Sequence, residues 1–374
     1  MYSSNSSVYS LQVQARCIVP QQAQRERHRF LAGTTSRKKD NELHVVEFQE
    51  DQHELFGSAI YSMPGEVWAL AASPHDPALV AASVRTPAGF QNGILRLPEE
   101  AAAGGADGGG ADDSFVSSRV ESSADVVVTY GAATRKQEAI LYHPCDEDTA
   151  PVHEIAFMDD STLRLCDFGD GGTLREAASL AVAGGEDAAA ACWNPHKHDQ
   201  VAVASGCGVA QWDLRSGAKA QEVPRAHEFG CTSLDYNPNR PFFFVTAGED
   251  RFIKFWDFRK SSSPMMAVTN HTHWVTSVKY NPFHDQLLGT TGTDHRVTLW
   301  RITSISSQPL VELEGDEDGS ESADVKVLTF EEHEDSVYSL SWSAYTAWIF
   351  SSLSHDGRVI LHQVPEAEKY KILL

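Results

Sequence analysis

The sequence predicts an all-β fold: seven small sheets arranged in a ring, a seven-bladed β-propeller. Three observations carry that expectation. First, the chain repeats with a period near 44: Trp212, Trp256 and Trp300 are 44 apart, as are Asp250 and Asp294, and Asn194-Pro195, Asn237-Pro238 and Asn281-Pro282 recur at 43 and 44. Second, a histidine precedes an aspartate by 23 residues in three successive units, His227 to Asp250, His271 to Asp294 and His333 to Asp356. Third, each unit reads as short strands rich in β-branched and aromatic residues, separated by turns, with no helical period.

The elements follow in chain order. A first blade is expected over about 8–56, with VYSLQVQARCIV, RFLAGT and ELHVVEF as strands. A second spans 64–131, with EVWALAASP, LVAASVR and GILRL. The third, over 132–180, is degenerate: EAILYHP, VHEIAFM and TLRLCDF. The fourth, over 181–225, has ACWNP, QVAVAS and VAQWDLR but lacks the turn aspartate. Units at 226–269, 270–328 and 332–374 are the most regular; CTSLDY, FFFVTAG and FIKFWDF are strands in the fifth, with NPNR and EDR as turns. The terminal KYKILL is expected either to pair as the outermost strand of the last blade or to dock on a partner. Two insertions break the period. Residues 98–123 are rich in Gly, Ala, Ser and Asp and predict a flexible loop. Residues 311–327 gather Glu312, Glu314, Asp316, Glu317, Asp318, Glu321 and Asp324 and predict a solvated acidic loop.

Composition narrows the function classes. The 374 residues carry 30 Lys+Arg against 52 Asp+Glu, a formal charge of −22. That excess leaves little to neutralise phosphates, so nucleic acid is not an expected partner. With 41% hydrophobic residues the chain can bury a large core. No apolar run is long enough to cross a membrane, and the N-terminus lacks a basic stretch followed by an apolar one, so neither insertion nor secretion is expected. The six cysteines form no CxxC pair and predict no metal site. HEIAF at 153–157 lacks the second histidine of a zinc-protease helix, and GGADGGG at 104–110 has no following Lys-Ser/Thr to cradle a phosphate. No cofactor or catalytic set is expected.

This repeat grammar resembles the WD-repeat propeller. In that family a histidine before the first strand, a hydroxyl on the second, an aspartate in the next turn and a tryptophan on the third form a hydrogen-bonded chain. The resemblance assigns these roles to His227, Thr246, Asp250 and Trp256, to His271, Thr290, Asp294 and Trp300, and to His333, Ser352 and Asp356, with His362 where tryptophan is expected. The His-Asp pairs are then structural, despite their likeness to a charge relay. Further segments narrow the resemblance: LQVQARCIVP, RFLAGTTSRKKDNELHVVEF, GEVWALAASP, HTHWVTSVKYNPFHDQLL, SISSQP before the acidic tract, EEHEDSVYSLSWS and the terminal KYKILL. Over nearly the whole chain they resemble the WD-repeat family that interacts with the GARP and EARP complexes, the Golgi-associated retrograde and endosome-associated recycling tethers. That resemblance implies a cytoplasmic, monomeric, non-catalytic scaffold. It would sit peripherally at the trans-Golgi network and endosomes and support tether recruitment in retrograde transport and recycling.

A propeller binds through the loops that converge on its channel. The columns just before the first strand and just before the turn aspartate give Glu66 in blade 2, Phe229 and Glu249 in blade 5, His273, Trp274 and Thr293 in blade 6, and Asp335, Ser336 and His355 in blade 7. An exposed tryptophan beside acids suits an anchor with a polar rim. A different class of function is also open. Trp212-Asp213-Leu214-Arg215 and Trp256-Asp257-Phe258-Arg259 are WDxR boxes, which in some WD-repeat proteins dock to the adaptor of cullin-RING ubiquitin ligases. Arg215 and Arg259 would then project from the blade edge to meet a carboxylate.

Overall fold

In the computed structural model, described over residues 7–98, 122–123, 125–133, 137–143, 154–159, 161–169, 173–182, 186–307 and 324–373, seven antiparallel sheets surround a channel. Strands are lettered a to d from the channel outward. Blade 1 comprises Ala15–Pro20, His28–Thr34, Asn41–Gln49 and Glu54–Met63. Blade 2 comprises Glu66–Ala72, Leu79–Thr86, Gly89–Arg96 and Asp125–Ala133. Blade 3 comprises Gln137–Tyr142, Ile155–Asp159, Thr162–Gly169 and Thr173–Ala181. Blade 4 comprises Ala188–Trp193, Gln200–Ser205, Gly208–Asp213 and Ala218–Val223. Blade 5 comprises Cys231–Tyr236, Phe243–Gly248, Ile253–Asp257 and Met266–Val268. Blade 6 comprises Val275–Tyr280, Leu287–Gly292, Val297–Ile302 and Asp324–Phe330. Blade 7 comprises Val337–Trp342, Ile349–Ser354, Arg358–Gln363 and, as its d strand, Ser7–Ser10.

The expected blade count holds, but the ring closes differently. Ser7–Ser10, expected within blade 1, pairs antiparallel with Arg358–Leu361 of blade 7. The d strand of blade 1 is instead Glu54–Met63. KYKILL is not a strand: its residues 369–373 lie in a helix, Glu366–Leu373, and Leu374 lies outside the described residues. Pro365, whose fixed φ and missing N–H suit a helix start, precedes that helix, and Glu366 and Glu368 in its first turn and Lys371 in its last are favoured by the helix dipole. Ile372 is buried among Trp342, Phe350 and Val364, and Glu368 meets the buried Arg301 at 3.3 Å. Both insertions fall between strands c and d. Most of 98–123 lies outside the described residues, but Ser122–Ser123 pairs parallel with strand d of blade 1. Residues 311–323 also lie outside them. The acidic loop ends earlier than expected, because Asp324 begins strand d of blade 6 and its carboxylate caps the amides of Thr303 and Ser304 at 2.8 and 3.0 Å.

The middle strands are buried along both faces, so the core lies between blades. Phe30, Ala32 and Val46 of blade 1 pack on Leu353, Val359 and Leu361 of blade 7. Val245, Ala247 and Phe255 of blade 5 pack on Val278, Leu288 and Trp300 of blade 6. Each of the fully buried Val, Leu and Phe side chains contributes about 1.5–3 kcal/mol. The repeated Asn-Pro marks the a–b connection. Asn237 Oδ1 accepts the amides of Asn239 and Arg240, and Asn281 Oδ1 those of Phe283 and His284, while proline fixes the following φ.

Candidate upper rim and channel mouth

Blades 5 and 6 contain the hydrogen-bonded cassette that the WD-repeat resemblance implied. The Trp256 indole N–H donates to Thr246 Oγ1 at 3.0 Å, the Thr246 hydroxyl donates to His227 Nε2 at 2.8 Å, and His227 Nδ1–H donates to Asp250 at 2.7 Å. Asp250 also accepts the Glu228 amide and Lys254 Nζ. In blade 6 the same links join Trp300, Thr290, His271 and Asp294, each at 3.0 Å. Burial works against ionising Asp250 and Asp294, yet the hydrogen bonds they accept from the facing histidine and from the Glu228 and Thr272 amides hold both carboxyls below the usual range. Gly248 and Gly292 make room: a Cβ on Gly248 would lie 2.4 Å from His227 Nδ1.

Blade 7 departs from this pattern. His333 bonds Ser352 at 2.6 Å, and Ser352 bonds His362, which replaces tryptophan, at 2.7 Å. His333 does not meet Asp356 directly. Its Nδ1 faces Ser354 Oγ at 2.9 Å, and the Ser354 hydroxyl donates to Asp356. Ser354 holds the strand position of Gly248 and Gly292, so its side chain fills the gap through which histidine and aspartate meet elsewhere. Spacing alone found His333 and Asp356; the residue two before the aspartate was the signal for the inserted hydroxyl. Burial lowers the His333 pKa to about 4, with Asp356 opposing.

The cassettes fix the loops above them. Trp274 is 46% exposed and Phe229 59% exposed. His273 Nδ1 meets Thr293 Oγ1 at 2.5 Å, and the Thr293 amide donates to the Trp274 carbonyl at 3.0 Å. The Ser336 hydroxyl donates to the Thr293 carbonyl at 3.5 Å, the His355 amide donates to the Ser336 carbonyl at 2.9 Å, and Asp335 accepts the Ser336 amide at 2.7 Å. Blades 6 and 7 therefore present one connected arc. In blade 5 the Glu249 amide donates to Gly230, one residue beyond Phe229. Glu66 is not an open acid: it accepts Trp68 Nε1 at 3.1 Å and lies 3.6 and 3.7 Å from Arg85 and Arg37.

Three residues of this surface were not singled out from the sequence. Arg16 lies over Trp68, 5.0 Å from the ring centre, and 5.8 Å from that of Tyr338, whose ring meets His355 edge-on at 5.5 Å. Through Arg16 of blade 1 they link its neighbouring blades 2 and 7 at the mouth of a channel of about 840 Å3. All three occupy the bulge near the top of strand a, a register the blade alignment had not resolved. Phe252, 38% exposed, lies two residues after Asp250 in the b–c turn of blade 5.

The WDxR arginines lie beyond strand c. Arg215 is largely exposed, 3.6 Å from Asp199. Arg259 is tied back to Asp257 at 2.8 Å and lies over Phe242, 4.7 Å from the ring centre. No group of three or more potential metal ligands occurs among the described residues.

Comparison with known proteins agrees with this architecture. The family model described as EIPR1 beta-propeller matches residues 3–104 and 128–300, and that for the WD domain, G-beta repeat, matches 324–363. The chain is 32% identical to EARP and GARP complex-interacting protein 1 of Homo sapiens over 98% of each chain. It is 34% identical to the EARP-interacting protein homolog of Dictyostelium discoideum, again over 98% of each, and 31% identical to WD repeat-containing protein DWA2 of Arabidopsis thaliana over 95% of each. The chain therefore belongs to the EARP and GARP complex-interacting family of WD-repeat β-propellers.

Proposed function

We propose that the chain is a non-catalytic cytoplasmic scaffold that binds the GARP and EARP tethers through its upper rim. It supports their recruitment to membranes in endosome-to-trans-Golgi retrograde transport and endosomal recycling. The observation that carries this reading is the end-to-end similarity to relatives named for interaction with those complexes. The connected arc around Trp274 supplies the contact surface, with an aromatic anchor inside a polar border. The propeller acts as a monomer, peripherally at the trans-Golgi network and endosomes. No described helix is long and apolar enough to cross a membrane.

Affinity purification from cytosol with mass spectrometry tests this. Wild type and the Arg215→Ala/Arg259→Ala double variant are expected to recover tether subunits equally. Trp274→Ala is expected to reduce recovery about tenfold, the effect of losing one well-packed anchor. Recovery of a cullin ligase adaptor instead, abolished in the arginine double variant, would replace the tether reading with that of a substrate receptor.

A further inference from the structure

The bulge residues near the top of strand a form a ring around the channel mouth: Arg16, Trp68, Ala189, Thr232, Thr276 and Tyr338, in the six blades whose side chains are described at this register. Two of them are committed to the blades themselves, because the Thr232 and Thr276 hydroxyls donate to the carbonyls of Val275 and Val337. Arg16 is different. Its guanidinium is half-buried between the Trp68 and Tyr338 rings, and among the described residues no carboxylate lies within ion-pair distance of it. In a chain with a formal charge of −22 this isolation needs a cause. The nearby acid of strand a, Glu66, is drawn away by Trp68, Arg37 and Arg85. Deeper in the channel the other cation, Lys279, is matched by Asp235 at 3.7 Å.

We propose that the channel mouth is a binding site for an acidic side chain in an extended segment of a protein partner, with Arg16 as the carboxylate anchor. Two aromatic faces leave the guanidinium its edge, the fork that pairs with a planar carboxylate through two parallel hydrogen bonds. With one unpaired cation among the described lining residues and Glu249 in the same lining, the mouth suits one negative charge and disfavours a dianionic phosphate. The channel wall beyond the two rings, Trp274 included, receives the segment's neighbouring apolar residues. This deepens the reading of the upper rim as the tether face and rests on it only for which protein supplies the segment.

The probe is a phage-displayed library of random heptapeptides, panned on the full chain with the Arg16→Gln chain in solution as counter-selector. The enriched peptide is then synthesised with fluorescein and its binding read by polarisation. Enriched sequences are expected to carry Asp or Glu beside an apolar residue. The Kd is expected to rise about tenfold or more when Arg16 becomes Gln, or when the peptide acid becomes its amide. Arg16→Lys keeps the charge without the fork and should fall between. At equal ionic strength, acetate should compete better than inorganic phosphate. Enriched peptides without acids, affinity indifferent to Arg16→Gln, or better competition by phosphate would each overturn the site. Should Arg16→Gln melt well below wild type, Tyr338→Ala supplies the test, since it removes one face of the sandwich and must weaken the same peptide. Acidic peptides that bind through Arg16 while Arg16→Gln still recovers tethers would uphold the site and remove tethers as its occupant. Tethers recovered by wild type with no acidic peptide selected would do the reverse.

Discussion

Blades 4 and 5 stand side by side and both carry a Trp-Asp dipeptide on strand c, Trp212-Asp213 and Trp256-Asp257, yet they are built differently. In blade 5 the indole N–H enters a relay that ends on Asp250. In blade 4 the buried Trp212 N–H has no hydrogen-bond partner among the described residues. Register gives the reason. Trp256 pairs with Phe244 and Trp212 with Val201, so Val203 holds the place of Thr246. The tryptophan by itself is packing; the hydroxyl two residues along strand b makes it part of a network. A repeat can therefore lose its polar interior and keep its blade, because the apolar seams on either side remain.

The largest expected effect comes from taking the hydroxyl out of blade 5. Thr246→Val orphans His227 Nε2 and Trp256 Nε1 together, and leaving a buried polar group unsatisfied costs about 1–3 kcal/mol. Urea unfolding should show a loss of about 2–5 kcal/mol; a loss under about 0.5 kcal/mol would mean the relay adds nothing beyond packing.

A second test compares blade 7 with blades 5 and 6. His333 has a folded pKa of about 4 because it is buried, and the nearby aspartate reaches it only through Ser354. Its unfolded pKa is near 6.5, so below that pH the unfolded chain binds the extra proton. The stability this histidine contributes is present above about pH 6.5 and is lost as pH falls towards 4. Melting temperatures measured from pH 7.5 to 4.5 should decline across that window. Ser354→Gly, which opens direct contact between His333 and Asp356, should flatten the decline. An unchanged slope would separate His333 from the acid response.

The smallest effect runs the other way. Val203→Thr offers the orphaned Trp212 indole an acceptor and should raise stability by up to about 1 kcal/mol, read from the urea midpoint. Destabilisation would show that the new hydroxyl finds no partner and is a buried cost.

These contrasts also explain what could be read from the chain. The 44-residue period, the cassettes of blades 5 and 6 and the aromatic rim at Trp274 were legible because they use residues whose types are rare and whose spacing is rigid. Ring closure was not, because Ser7–Ser10 is short and its partner is distant in sequence; nothing local separates a strand that opens blade 1 from one that completes blade 7. KYKILL alone reads as an outer strand or a docking segment; the helical signal lies in Pro365, Glu366 and Lys371. Arg16 escaped because a one-residue bulge decides which side of strand a faces the channel. Ser354 escaped because a serine near an aspartate is common and becomes informative only against glycine in the neighbouring blades.

The seam between Ser7–Ser10 and strand c of blade 7 has a consequence for how the molecule is made. Its outer strand is translated before its three inner strands, so the closing contact waits until Arg358–Leu361 has left the ribosome. That contact must then meet the entropic cost of a loop as long as the protein. The finished ring should accordingly open first at this seam, and hydrogen exchange at Val8 and Tyr9 would report its breathing before any other blade loosens.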